Sequence, residues 1–497
     1  MVAKCSVPLP TRARIIMLCG PKSSGKSTFA KLLVNRLLAV SVEDSKATNN
    51  RNAKVAFLDL DPGQPEYSAP GQLSLVYVQD PNFGPPFAHP MPASQSKVIR
   101  SHFLGAVSPA LDPDLYMACA LDLFTHYRNQ LSRSQNCSLV INTPGWVLGT
   151  GLEILTDLIA KVTPTEVIYM SKEGPPEVVD ALSDVNSSVS VFTLPSQVSE
   201  FTTRTAAHLR TMQYMSYFHL SQPDQKGLSW NPRPLTSMPP WEIRYAGENP
   251  GILGVMCYGE QPPASLLADT INGSLVAVVV IDDMTAIPGW RDASNNHKYP
   301  AEADGDIEDG DSTKNDSGAQ PLEYPLILNT PEEIPYFNPL NAITLDPSKS
   351  HNIGLALVRG VDTERRRIQV LTPISPREIE EINEAEKSIV LVSGKLDTPG
   401  WAYIEELTQK MALEKSKKSI MAGGNERDVD VDDSDESDYD EESKVGNKGK
   451  AGMQERSLGV GFEDAPWIEK LEGSQGRGIG SRVWRVRRDL GRADGGE

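Results

Sequence analysis

The run IIMLCGPKSSGKSTFAKLL, residues 15–33, constrains this 497-residue chain more than any other stretch. It reads as an apolar strand, a glycine loop and the start of a helix. Gly20, Gly25, Lys26 and Ser27 satisfy the spacing G-x-x-x-x-G-K-[ST] in that context, with Pro21, Lys22, Ser23 and Ser24 filling the loop and Thr28 following it. The glycines let backbone N–H groups turn inward around a phosphate, and the helix N-terminus adds a favourable dipole. Lys26 is placed to bridge the β- and γ-phosphates, and the Ser27 hydroxyl to ligate Mg²⁺. The loop therefore predicts a bound nucleoside triphosphate and a parallel sheet to carry it.

The remainder of residues 13–225 supplies such a sheet. RIIMLC (14–19), KVAFLDL (54–60), SLVINT (138–143), EVIYM (166–170) and SVFTL (190–194) read as strands. FAKLLVNRLLAV (29–40), LYMACALDLFTHYRNQL (115–131) and GLEILTDLIAKV (151–162) have helical apolar spacing. Alternation of this kind predicts an α/β fold, a P-loop NTPase parallel sheet with helices on both faces. From residue 226 to 412 short strands such as SLVAVVVID and SIVLVSGKL predict a smaller β-rich C-terminal domain. Residues 1–12 are an N-terminal extension, and 413–460 and 461–497 read as a disordered acidic linker and an Arg-rich tail.

The net charge of −18 seems at first to exclude a nucleic acid substrate, but its distribution removes the objection. Asp428 to Glu442 carries ten carboxylates, and Glu302 to Asp316 carries seven with one lysine. Without these runs the balance is −18 + 10 + 6 = −2. Both runs lack the apolar content that offsets ordering entropy, so segments 291–320 and 413–460 are read as disordered. The five cysteines are scattered and form no CxxC pair, which argues for a reducing compartment and against a zinc site. LVAVVVI (275–281) is too short to span a bilayer, and the first residues lack the apolar core of a signal peptide. A soluble intracellular protein with no membrane partner is expected.

Guanine recognition calls for N-K-x-D after a strand, and the only NK lies in VGNKGK (445–450), inside the acidic linker. Adenine nucleotide is thus the expected donor. About 35 residues beyond the loop the next strong strand ends in LDLDPGQPEYSAPG (58–71). Asp59 and Asp61 are two apart, so alternation starts both on one face. A carboxylate here can organise Mg²⁺ or accept a proton from an attacking hydroxyl. Asp-Pro-Gly is equally a common turn sequence. NTPGW (142–146) follows the strand SLVI, whose carboxyl end points towards the phosphate loop.

Taken in order, GPKSSGKST, LDLDPGQPEYSAPG, HFLGAVSPALDPDLY and LVINTPGWVLGTGLEIL resemble the polynucleotide 5′-hydroxyl kinases of ribosome biogenesis, relatives of the kinase subunit of the mRNA 3′-end cleavage machinery. RTAAHLRTMQYMSYFH (204–219), IVLVSGKLDTPGWAYIEEL (389–407) and RVWRVRRDLGR extend the match. The resemblance implies transfer of the ATP γ-phosphate to the 5′-hydroxyl of an RNA end, with Mg²⁺, during pre-rRNA processing in the nucleolus. It implies that Gly20 to Thr28 hold the triphosphate and that Asp59 activates the hydroxyl or, with Ser27, organises the metal. Asp61, Gln64 and Tyr67 would flank the RNA, and Thr143 and Trp146 would grip its terminal nucleotide. Arg204 and Arg210, in a lid-like segment near 200–219, would neutralise the transferring phosphoryl group. The Arg-rich tail would dock the endoribonuclease that cuts pre-rRNA.

Each carried-over residue also has a plainer reading. Trp146 fits a core aromatic, and Arg204 and Arg210 fit solvated helix arginines. TPGW (398–401) and IPGW (287–290) read as structural turns. An ATP-bound scaffold with little turnover is the alternative function. The pattern departs from the family in one respect: its members carry a domain before the phosphate loop, whereas here the loop begins at residue 20.

Overall fold

The computed structural model describes residues 13–407, apart from 49–54, 93–95, 132–136, 172–173, 186–188, 198–203, 225–226 and 291–323, together with residues 410 and 414. The extension 1–12, the acidic insert, the linker apart from Glu414, and the tail lie outside the described residues.

The first sheet holds β1 (Ile15–Cys19), β2 (Val55–Asp59), β3 (Gln72–Val78), β4 (Lys97–Phe103), β5 (Ser138–Asn142), β6 (Glu166–Met170) and β7 (Ser190–Leu194). Their spatial order is β4-β3-β2-β5-β1-β6-β7. β2, β5, β1, β6 and β7 are parallel, and β3 and β4 add on as antiparallel strands beside β2. The helices of this unit are α1 (Lys26–Thr48), α2 (Pro113–Leu131), α3 (Thr150–Val162), α4 (Pro176–Asp184) and α5 (Ala206–Phe218).

Strand alternation decides what each face buries. Ile16, Leu18, Val55 and Phe57 pack with Ala30, Val34 and Leu38 of α1. Met17, Cys19, Ala56 and Leu58 pack on the other side with residues of α2 and α3. A strand covered on both faces must be apolar along its whole length, which is why these runs lack polar alternation. The α/β class and the helices on both faces are as expected from the sequence. β3 and β4 had no counterpart in the sequence reading. KVIRSHF hides as a strand because its Arg100 is spent on an internal ion pair and its His102 on a hydrogen bond to the same Asp122.

A hairpin of β8 (Leu220–Asp224) and β9 (Gly227–Trp230) follows α5. Beyond it come β10 (Trp241–Arg244), β11 (Gly254–Cys257), α6 (Leu267–Ile271), β12 (Leu275–Ile281), β13 (Ile327–Asn329), β14 (Pro335–Phe337), β15 (Ser350–Asp362), β16 (Arg367–Leu371), α7 (Pro376–Glu384) and β17 (Ser388–Ser393). They form a mixed eight-stranded sheet, ordered β10-β16-β15-β12-β17-β11-β14-β13. Val276, Val278 and Val280 of β12 face α6 and α7, while Ala277 and Val279 join the core of the first unit. One hydrophobic core thus runs between the two sheets.

Arg100 pins them together. Its Nε donates to Asp122 Oδ2 at 2.8 Å, Nη1 to Asp282 Oδ2 at 3.2 Å, and Nη2 to the carbonyls of Pro347 and Ser350 at 2.7 and 2.8 Å. Among the described residues no helix is long and apolar enough to cross a membrane.

Candidate active site

β1 delivers the phosphate loop at the centre of the parallel strands, between β5 and β6. Gly20 and Gly25 have φ of 145° and 91°, a region open to glycine but rarely to other residues. A Cβ at Gly20 would lie 3.1 Å from the backbone of Met170, and one at Gly25 would lie 3.0 Å from Gln197 Cβ. Gln197 N donates to Ser24 O at 2.9 Å, so the chain after β7 braces the loop. The Ser24 hydroxyl is buried without a hydrogen-bond partner among the described residues. Lys26 is buried, and its Nζ donates to Pro21 O at 2.9 Å. Burial lowers its pKa, opposed by the charge of Asp61 and by Cys19. A loop of inward backbone, an unpartnered hydroxyl and a buried ammonium fits a polyphosphate.

The two aspartates at the end of β2 do different things. Asp59 is 0% exposed, and both its oxygens are occupied. Oδ1 accepts from Asn142 Nδ2 at 3.0 Å and from Asp61 N at 3.3 Å, and Oδ2 accepts from Glu66 N at 2.7 Å. Burial pushes its pKa up to about 7, against these hydrogen bonds. Asp61 lies beyond the strand and keeps part of its surface open. Burial raises its pKa too, opposed by the Gly63 and Gln64 N–H groups and by the charges of Lys26 and Lys22. Asp61 is therefore the carboxylate that feels the phosphate-loop lysines. Asp59, expected from the sequence to serve the metal or the hydroxyl, lies fully enclosed and bonded to Asn142 and to the backbone at 61 and 66.

NTPGW crosses the mouth of this loop. A Cβ at Gly145 would stand 2.6 Å from Lys22 Cα, so this position tolerates only glycine. Trp146 is half-buried, and Gly151 lies so close that an added Cβ would meet its Cγ at 2.7 Å. Thr143 is fully enclosed, with its hydroxyl donating to Leu18 O at 2.8 Å. It ties β5 to β1 rather than presenting a free hydroxyl. Tyr67 is also enclosed, its ring edge-on to Phe57 at 5.9 Å and tilted against His89 at 5.4 Å. Gln64 remains half-exposed in the turn.

Arg204 is half-buried and precedes Thr205, whose side chain caps α5 by accepting from His208 N. Arg210 donates from Nε to Asp397 Oδ2 at 2.7 Å, which ties α5 to the segment after β17. Asn142 and Gln213 went unnoticed in the sequence. Asn142 lies inside NTPGW, where Thr143 and Trp146 carry the stronger local signal. Gln213 had no signal, being one polar residue on a helix.

Residues 20–220 match the family model described as mRNA cleavage and polyadenylation factor CLP1 P-loop. The chain is 42% identical over 492 residues to the polynucleotide 5′-hydroxyl-kinase GRC3 of Gibberella zeae, an alignment covering 97% of this chain and 61% of that protein. It is 36% identical over 499 residues to the protein of that name in Emericella nidulans, covering 96% of this chain and 59% of the other. The chain is thus similar over nearly its whole length to proteins named polynucleotide 5′-hydroxyl-kinase. It spans roughly three fifths of the length of these relatives, 61% and 59%. A solved structure titled as the wild-type Clp1p–Pcf11p (454–563) complex is similar with a TM-score of 0.48 and 16% identity, covering 79% of this chain and 76% of that one.

Proposed function

We propose that this chain is an ATP-dependent polynucleotide 5′-hydroxyl kinase that phosphorylates RNA ends. The observation that carries the reading is Asp61, a part-open carboxylate under the influence of Lys26 and Lys22 at the mouth of the phosphate loop. Gly20 to Thr28 hold the triphosphate, with Lys26 swinging from Pro21 O to the β- and γ-phosphates. The 5′-hydroxyl oxygen attacks the γ-phosphorus, the bond to the ADP oxygen breaks, and the hydroxyl proton passes to Asp61. A carboxyl whose pKa is raised by burial is a better proton acceptor near neutrality than an ordinary aspartate. Asp59 holds Asp61 through its backbone N–H. Trp146, half-buried beside Lys22 through Gly145, offers a stacking surface that accepts any terminal base.

The donor set also fits Mg²⁺, which the Ser27 hydroxyl would hold directly and Asp61 through water, because Asp59 is fully enclosed and both its oxygens already accept N–H groups. Bound there, the cation would neutralise charge on the transferring phosphoryl group. The names of the similar proteins support 5′-hydroxyl transfer. The finer assignment rests on the resemblance of the ordered motifs: pre-rRNA processing in the nucleolus, with an endoribonuclease partner engaged by the Arg-rich tail.

The reading is tested by transfer of labelled γ-phosphate from ATP to 5′-hydroxyl RNA and DNA oligonucleotides. Transfer that Lys26→Ala abolishes supports it. Nucleotide binding without transfer points to a scaffold instead.

A further inference from the structure

The turn that carries Asp61 is held from outside the phosphate-loop sheet. Gly71 N donates to Pro62 O at 2.8 Å and closes the turn at its base. Its far side rests on α5. Gln213, 3% exposed, donates from Nε2 to the carbonyls of both Pro65 and Ser68 at 2.7 Å. The next residue, Tyr214, donates its hydroxyl to Pro70 O at 3.2 Å. Adjacent side chains of one helix thus satisfy three carbonyls that would otherwise be buried without partners.

That helix is in turn held by the segment leaving the second sheet. Lys395 N donates to Gly105 O at 2.7 Å as the chain crosses over. Leu396 packs on Gly71, where an added Cβ would lie 2.8 Å from its Cδ2. Trp401, 8% exposed, stacks on Tyr214 with centroids 6.3 Å apart and planes at 9°. Further along, Glu405 accepts from Leu235 N at 2.7 Å and pairs with His219 at the end of α5 at 2.6 Å. TPGW at 398–401 therefore does more than turn the chain, as the sequence suggested. It wedges an indole behind the residues that shape the Asp61 turn.

We propose that Gln213 is a positioning residue for the turn 62–71, and that Trp401 holds it in register from the second sheet. The proposal rests on the kinase reading only for its kinetic consequence. A displaced turn misaligns Asp61 with the acceptor hydroxyl while leaving the phosphate loop on β1 in place. Acceptor handling should suffer and nucleotide binding should not. Among the described residues the buried Trp401 Nε1–H has no partner, so Trp401→Phe removes no hydrogen bond seen there and keeps an aromatic face.

The test uses the full chain and compares Trp401→Ala, Trp401→Phe and Gln213→Glu, the last replacing a double donor by an acceptor facing two carbonyls. Amide hydrogen exchange across 62–71, where the Glu66 and Gly71 amides are bonded, is read beside steady-state kinetics. The expected result is about tenfold faster exchange confined to that turn in Trp401→Ala and Gln213→Glu. kcat for a 5′-hydroxyl oligonucleotide should fall about tenfold while ATP affinity stays within about twofold, and Trp401→Phe should restore both kcat and the slow exchange. Exchange in 62–71 that is unchanged, or that rises equally throughout the chain, overturns the proposal. So does a loss of ATP affinity equal to the loss of kcat. If the unaltered protein transfers no phosphate, the kinase reading fails, and the exchange pattern still decides this inference by itself.

Discussion

The side-chain amide of Asn142 donates to Oδ1 of Asp59 across 3.0 Å, joining the ends of β5 and β2 beneath the phosphate loop. This bond, with those from Glu66 N and Asp61 N, makes Asp59 the post on which the acceptor turn is built. Asn142→Ala should leave Asp59 short of a donor in a buried site and cost about 1–3 kcal/mol. Denaturant unfolding measures the loss. Asn142→Asp should cost more, because it faces two carboxyls across the same gap.

The raised pKa of Asp59 gives a pH dependence with a definite sign. Its folded-state pKa of about 7 lies above the ordinary 3.8, so between these values the folded chain binds the extra proton. The stabilisation is fully present below the unfolded pKa and is lost as pH rises through about 7. Between about pH 5.5 and about pH 8 the contribution of this group should fall by roughly 2 kcal/mol. Asp59→Asn cannot ionise, so melting curves at the two pH values should show a flatter decline for this variant. A parallel decline in both proteins would contradict the assignment.

Arg100 reaches Asp122, Asp282 and two carbonyls from a side chain that is only 9% exposed. Arg100→Ala strands these groups, and a loss of about 3–5 kcal/mol is expected, as when one partner of a buried pair is removed. Urea unfolding should become broader or biphasic as the two sheets lose their common clamp. The affinity for ATP of the folded variant should be unchanged, because the phosphate loop is held by other residues.

Gly145 and Gly149 lie four residues apart in one loop and should respond very differently to alanine. At Gly145 the methyl group meets the Lys22 backbone at 2.6 Å, which no rotamer change relieves. Gly145→Ala should weaken ATP binding by about tenfold or more by displacing the phosphate loop. At Gly149 nothing lies within 4 Å, and φ is +57°. There alanine should cost about 1 kcal/mol of backbone strain and leave ATP affinity alone. Isothermal titration with ATP separates the two cases.

The sheet and its phosphate loop were legible in the sequence because both depend on local signals. Strands such as VAFLD and EVIYM are apolar throughout since each is covered on both faces, and the glycine spacing states the loop directly. β4 was not legible because its Arg100 and His102 look like surface residues and are used internally. The site was read less well than the fold for a related reason. Alternation sets Asp59 and Asp61 on one face, but β2 ends at Asp59 and the chain turns at Pro62–Gly63. Only the positions of Asn142 and the Glu66 amide reveal that Asp59 is enclosed with both oxygens bonded. Trp401 and Gln213 act across 187 and 148 residues from their partners, a relationship no local pattern encodes.

The central claim is the division of labour between the two aspartates, and steady-state kinetics of Asp61→Asn beside Asp59→Asn tests it most directly. With labelled ATP and a 5′-hydroxyl oligonucleotide, Asp61→Asn should lower kcat by about 10²–10⁴ while its melting temperature and ATP affinity stay near those of the unaltered protein. Asp59→Asn should shift the melting temperature and its pH dependence, and should keep a far larger share of kcat. The reverse pattern, with kcat abolished by Asp59→Asn and retained by Asp61→Asn, would contradict the account.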